Sequence, residues 1–126
     1  MNPIARSLDM ILGPPAALPA GLPEELLPAG VMLRRGRLVP ALGGWLSRLG
    51  GPAAAVALRR TIVVHPGVPI TRTLLAHELA HVRQWEEDLL FPLRYTLETL
   101  RRGYVNNRYE RAARAAESAP DLHPLA

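Results

Sequence analysis

Proline and glycine set the strongest limit on what this chain can form. Of its 13 prolines and 10 glycines, eight of each fall within the first 53 residues. Proline lacks an amide donor and blocks helix interiors, and glycine weakens helices and strands alike. Long regular elements are therefore excluded there, and regular structure should concentrate after about residue 55. Ile4 to Leu12 can make two helical turns before Gly13-Pro14-Pro15 stops them. Val31-Met32-Leu33 and Arg37-Leu38-Val39 read as short extended pieces, with one helical turn near Trp45-Leu46. Residues 1–53 are expected to be an arm or leader packed on a core of residues 54–117, with 118–126 a flexible tail.

The core has clearer signals. Ala55 to Leu58 and Thr61 to Val64 are β-prone runs separated by Arg59-Arg60, which predicts a hairpin or one bent strand. Thr71 or Thr73 can cap a helix running from about Arg72 to Glu87. A second helix is centred on Phe91 to Arg102, where Leu90, Leu93, Leu97 and Leu100 repeat at three- and four-residue spacing and Gly103 ends it. A third starts near Asn106 or Asn107 and stops by Pro120. Strands followed by helices make the fold class α+β, a small sheet packed on one helix and two more.

Composition narrows the function. The 126 residues suffice for one domain, and 48% hydrophobic against 21% charged excludes a wholly disordered chain. Cysteine is absent, which removes disulfides, thiol nucleophiles and cysteine-ligated zinc. The net charge is +4 and every basic residue is arginine, a balance that suits an anionic partner such as nucleic acid or a membrane surface. Aromatics at 5% are too few for a base-stacking platform, which argues against nucleic acid. Prolines break the longest uncharged stretch, Met10 to Pro23, so no transmembrane segment is expected, and Asp9 spoils a signal-peptide reading. A cytoplasmic location follows as the expectation.

One pattern carries chemistry: His77-Glu78-Leu79-Ala80-His81, an H-E-x-x-H. Inside the predicted helix, positions four apart lie one turn apart on one face, so both imidazoles can reach one tetrahedral Zn²⁺. Glu78 is placed about 100° round the helix from His77, where its carboxylate can take a proton from a metal-held water. A catalytic zinc needs a third protein ligand. The metzincin spacing would put Gly and His at positions occupied by Gln84 and Glu87, so that solution fails. Glu110, 29 residues past His81, and His123, 42 past it, are the two candidates. Glu110 is favoured, because His123 lies between Leu122 and Pro124 in the expected tail. Glu110 has a competing role as the N3 glutamate of a capping box with Asn107 as N-cap.

Thr73 through Trp85, with Tyr104 and Asn107-Arg-Tyr-Glu110-Arg-Ala-Ala downstream, resembles the gluzincin metallopeptidases. The likeness covers about residues 55–117 and is nearest to small bacterial minigluzincin-type domains of unknown function. It implies zinc held by His77, His81 and Glu110, with Glu78 as general base. It also implies that Thr61 to Val64 is the edge strand along which an extended peptide or protein substrate pairs. Larger gluzincins often carry an aspartate four residues after the ligand glutamate to orient a histidine. Here that position is Arg114, leaving Asn106 or Asn107 as replacements. Tyr104 or Tyr109 could donate to an oxyanion, although core packing is the favoured role for each.

Three functions follow from this reading. The leading one is a zinc-dependent peptidase with one Zn²⁺ per chain. Another is a silent or latent zinc-binding regulatory domain, with Asp121 or His123 from the tail covering the metal. The third is a basic protein associated with nucleic acid. So short a scaffold could also need a second copy or a partner protein to complete its cleft.

Overall fold

The computed structural model describes residues 2–118. Its elements, in order, are helix α1 (Pro3–Leu12), a 3₁₀ turn at Glu24–Leu26, strand β1 (Met32–Arg35), helix α2 (Leu38–Leu46), strands β2 (Ala55–Leu58) and β3 (Thr61–Val64), and helices α3 (Arg72–Glu87), α4 (Phe91–Asn106) and α5 (Arg108–Ala116). The fold is α+β: five helices around a small three-stranded mixed sheet.

The strand order is β1-β3-β2, with β1 parallel and β2 antiparallel to β3. Two features depart from the sequence reading. First, Thr61–Val64 is the central strand, so it cannot pair with a substrate along an open edge. β2 takes that place, because β1 occupies the other side of β3. Second, the first 53 residues contribute a strand to the sheet. β1 belongs to the sheet, with Leu33 opposite Ile62 and Arg35 opposite Val64.

Alternation along the strands sorts the two faces. Leu33, Ala55, Ala57, Ile62 and Val64 join Leu75, Ala76, Leu79 and Val82 of α3 in one buried cluster. On the opposite face, α2 approaches β2 closely enough that a Cβ on Gly43 would stand 2.5 Å from Val56 Cγ2. A Cβ on Gly44 would stand 2.0 Å from the Gly51 carbonyl. These glycines look like helix breakers in sequence, yet they permit the contact that seats the helix. Pro40 lies in the first turn of α2, where no intrahelical donor is needed.

Helix α3 begins as the sequence predicts, with Thr71 Oγ1 accepting from Leu74 N at 3.1 Å. The chain breaks at Gly103 inside α4, where φ is +77°, and α5 restarts behind Asn107. The leucine stripe of α4 faces outward: Leu90, Leu93, Leu97 and Leu100 are exposed, while Phe91, Glu98 and Thr99 are buried. No helix among the described residues is long and apolar enough to cross a membrane. Residues 119–126, including Asp121 and His123, lie outside the described residues, and so do the readings that place them over a metal.

Candidate metal centre

Helix α3 has two different faces. Leu75, Leu79 and Val82 bury against the sheet, and the same winding carries His77, Glu78 and His81 round to the side covered by α5. Helix α5 is held at the required position by Asn107, which is fully buried. Its Oδ1 accepts from Tyr109 N at 2.8 Å and Glu110 N at 3.4 Å, and its amide donates to Tyr95 O and Thr99 Oγ1. Asn107 is thus an N-cap that positions Glu110. Only half of the expected capping box exists, because the Glu110 carboxylate turns away from the Asn107 amide and toward the histidines.

His77 Nε2 lies 2.9 Å from Glu110 Oε1, and His81 Nε2 lies 3.2 Å from Glu110 Oε2. One ligand atom from each of the three residues falls within 4.8 Å of the other two, so His77, His81 and Glu110 could hold a metal ion. A tetrahedron with zinc bonds of 2.0–2.1 Å has edges of about 3.3 Å, close to both nitrogen–oxygen separations.

The outer nitrogens of both rings are engaged as well. His77 Nδ1 is 2.7 Å from Glu117 Oε2, and His81 Nδ1 is 2.7 Å from Gln84 Oε1. Gln84 is itself held, its amide donating to the Tyr109 carbonyl at 3.1 Å. The outer partners Glu117 Oε2 and Gln84 Oε1 are acceptors, so each ring can donate Nδ1–H outward. Loss of the Nε2 proton would then leave the tautomer and orientation that a metal-binding histidine needs.

Glu117 answers the question raised by Arg114. It lies seven residues after Glu110, two helical turns on, and therefore on the same face of α5. Asn106 is exposed and takes no part, and Asn107 orients the glutamate rather than a histidine. Periodicity would have found Glu117 had the search extended from one turn to two. Tyr95 is a second residue the sequence reading missed: its hydroxyl donates to Glu110 Oε2 at 2.6 Å. Phe91, Tyr95, Glu98 and Thr99 mark the inner face of α4, a weaker stripe than the leucines and easily overlooked beside them.

The charges are strongly coupled. Burial alone would lower the His77 pKa, but hydrogen bonds to Glu110 and Glu117 and the charge of Glu78 outweigh it and raise the pKa to about 9. Burial likewise works against His81, which Glu110 and Glu78 nonetheless raise. Burial would raise Glu110, yet hydrogen bonds from His77, His81 and Tyr95 hold it well below the usual carboxylate range. Glu78 behaves in the opposite way. It is buried, its Oε2 has no hydrogen-bond partner among the described residues, and burial raises its pKa against the pull of His81 and His77.

A buried carboxylate oxygen without a partner, beside two imidazoles with their outer nitrogens pinned, fits a water-holding divalent metal. The His₂Glu donor set suits zinc.

A cleft of about 190 Å³ opens over this cluster. Its walls are α3, the edge of β2, α4 and the C-terminal end of α2, including Leu46 and Leu49. Tyr104 lines the cleft, and burial and Glu110 raise its pKa so that the phenol stays protonated. Tyr109 packs instead, edge-on to Phe91 at 5.1 Å and stacked on Tyr95 at 6.3 Å. Trp85 donates from Nε1 to the Ala57 carbonyl at 2.9 Å, tying α3 to β2. Comparison with family models, curated proteins and solved structures gives no match to this chain.

Proposed function

We propose that this chain is a zinc-dependent peptidase of gluzincin type. The observation that carries the reading is the convergence of His77, His81 and Glu110 beside a buried Glu78 whose Oε2 is unpartnered. His77, His81 and Glu110 would hold the ion, with Glu117, Gln84 and Tyr95 fixing their orientation. Bound there, zinc supplies Lewis acidity and brings the pKa of a water it holds down toward neutrality.

Glu78 accepts the proton of the attacking water and later returns it to the departing amine. Its burial suits this role, since it raises the Glu78 pKa above the ordinary carboxylate range and makes the carboxylate a better proton acceptor. An extended peptide adds to the open edge of β2 at Ala55 and at the Ala57 amide, the Ala57 carbonyl being taken by Trp85; both alanines line the cleft. Tyr104, which lines the same cleft as Glu110, hydrogen-bonds the developing oxyanion through its hydroxyl and keeps its proton. Leu46, Leu49, Val56 and Phe91 favour an apolar side chain near the scissile bond.

The decisive experiment measures zinc content and peptide-library cleavage for the native chain and for His77→Ala, Glu110→Ala and Glu78→Gln. The expected pattern is one zinc per chain, lost in the first two variants and retained in the third, with hydrolysis lost in all three. Zinc retained in Glu110→Ala would remove Glu110 from the ligand set. Full cleavage by Glu78→Gln would end the mechanism.

A further inference from the structure

Two helices flanking the cleft expose side chains that proteins usually bury. On α2, Leu42, Trp45 and Leu46 point outward, and Trp45 is 75% exposed. On α4, Leu93, Leu97 and Leu100 do the same, with Leu93 58% exposed. The two sets meet at the cleft. Leu46 lines it from α2, and Pro92 and Thr96, next in sequence to Leu93 and Leu97, line it from α4. Ser47 Oγ and the Tyr95 hydroxyl, 3.3 Å apart, bring the two helices together at that point. So much apolar surface on a chain of this size marks a contact site.

The charges flanking α2 have one sign, while the acids beside α4, Asp88 and Glu98, are paired with Arg94 and Arg102. From Leu26 to His77 there is no aspartate or glutamate, and the same stretch holds seven arginines. Arg37 and Arg48 bracket α2, and Arg101 stands one residue from Leu100; all three are exposed. Among the described residues, none of the three forms an ion pair.

We infer that this surface docks on an anionic lipid bilayer, with the cleft mouth turned toward the lipid. Trp and Leu enter the interfacial layer while the flanking arginines meet phosphate headgroups, the division of labour that interfacial helices use. A bilayer asks for no shape complementarity, which suits apolar residues spread along two helices on either side of a cleft mouth. A second copy of the chain fits less well, because a two-fold contact would set the arginine-flanked α2 faces against acids, Asp88 and Glu98, that are already paired with Arg94 and Arg102. Nucleic acid would leave the leucines and Trp45 in water. The inference stands independently of zinc, since none of these side chains is a ligand. For a peptidase it also names a substrate class: peptide segments lying at or emerging from the membrane surface.

The test is co-sedimentation of the full chain with phosphatidylglycerol–phosphatidylcholine vesicles and with pure phosphatidylcholine vesicles, with and without added zinc, alongside tryptophan fluorescence. Binding should be at least tenfold stronger to the anionic vesicles, fall as salt is raised, and carry a blue shift that Trp45→Phe reduces. The double variants Leu42→Ser/Trp45→Ser and Leu93→Ser/Leu97→Ser should each lose at least tenfold in binding while keeping the native circular dichroism spectrum. Absence of binding, or binding that neither lipid charge nor these variants alter, overturns the inference. A concentration-dependent dimer that the same variants dissociate, without vesicle binding, assigns the face to a second copy and also overturns it.

Discussion

Helices α3 and α4 are each sixteen residues long and place their side chains in opposite ways. α3 buries two of its most polar residues, Glu78 and His81, along with its leucines, while α4 leaves Leu93, Leu97 and Leu100 in solvent. The difference lies in their neighbours. α3 is covered by the sheet on one side and α5 on another, so apolar and polar residues both find partners. α4 is covered only where Phe91, Tyr95, Glu98 and Thr99 face inward, and its best apolar stripe looks away. A helix's hydrophobic periodicity shows that it has a sticky face, and the surrounding layers decide what that face touches.

The sharpest break in this contrast is Glu78→Gln, which keeps α3's packing and removes only a proton acceptor. Steady-state peptide hydrolysis should fall about 10²–10⁴-fold with zinc content unchanged. On the apolar side of the same helix, Leu79→Ala should cost about 2–5 kcal/mol in denaturant unfolding, since Leu79 is fully buried. Glu117→Ala probes the support of the ligands. Zinc affinity, measured by competition with a chelator, should weaken about 10–100-fold, with Glu117→Gln recovering part of the loss.

A fourth prediction concerns pH. Zinc must displace the His77 proton, so affinity should fall about tenfold for each pH unit below the His77 pKa of about 9. In the metal-free chain the sign reverses. A raised histidine pKa contributes stability that is complete below about 6.5 and is lost as pH rises through about 9. Thermal melts should therefore show zinc protecting the fold increasingly from pH 6.5 to 9, and protection constant across that range would contradict the coupling. The smallest effect belongs to α4. Leu97→Ser should change unfolding free energy by about 0.5 kcal/mol or less, against the several expected for Leu79→Ala.

Much of this was legible in the chain. Thr71 as an N-cap, the two β-prone runs and the His77–His81 spacing are local signals, governed by backbone sterics and helical winding within a few residues. Those signals placed β2, β3 and α3 and grouped His77, Glu78 and His81, whereas Glu110 is only favoured over His123 as the third ligand. The first 53 residues were harder to read. Gly43 and Gly44 signal breakage locally, whereas their use is to let α2 approach β2, a contact made by residues far apart in sequence.

The amino-acid sequence by itself determined which segments after residue 54 are helix or strand and which residue types could serve a metal, because capping, β-branching and the 3.6-residue turn are short-range physics. Earlier in the chain, Leu38-Val39 reads as extended yet opens α2. Only the tertiary structure decided that β3 is central and β2 the edge, since the order of strands depends on where β1 docks. It alone put Glu117 on His77 and Tyr95 on Glu110, contacts that depend on how α4 and α5 pack. It alone turned the α4 leucines outward. Periodicity gives a side chain's angle on its own helix, and only packing supplies the direction of the core.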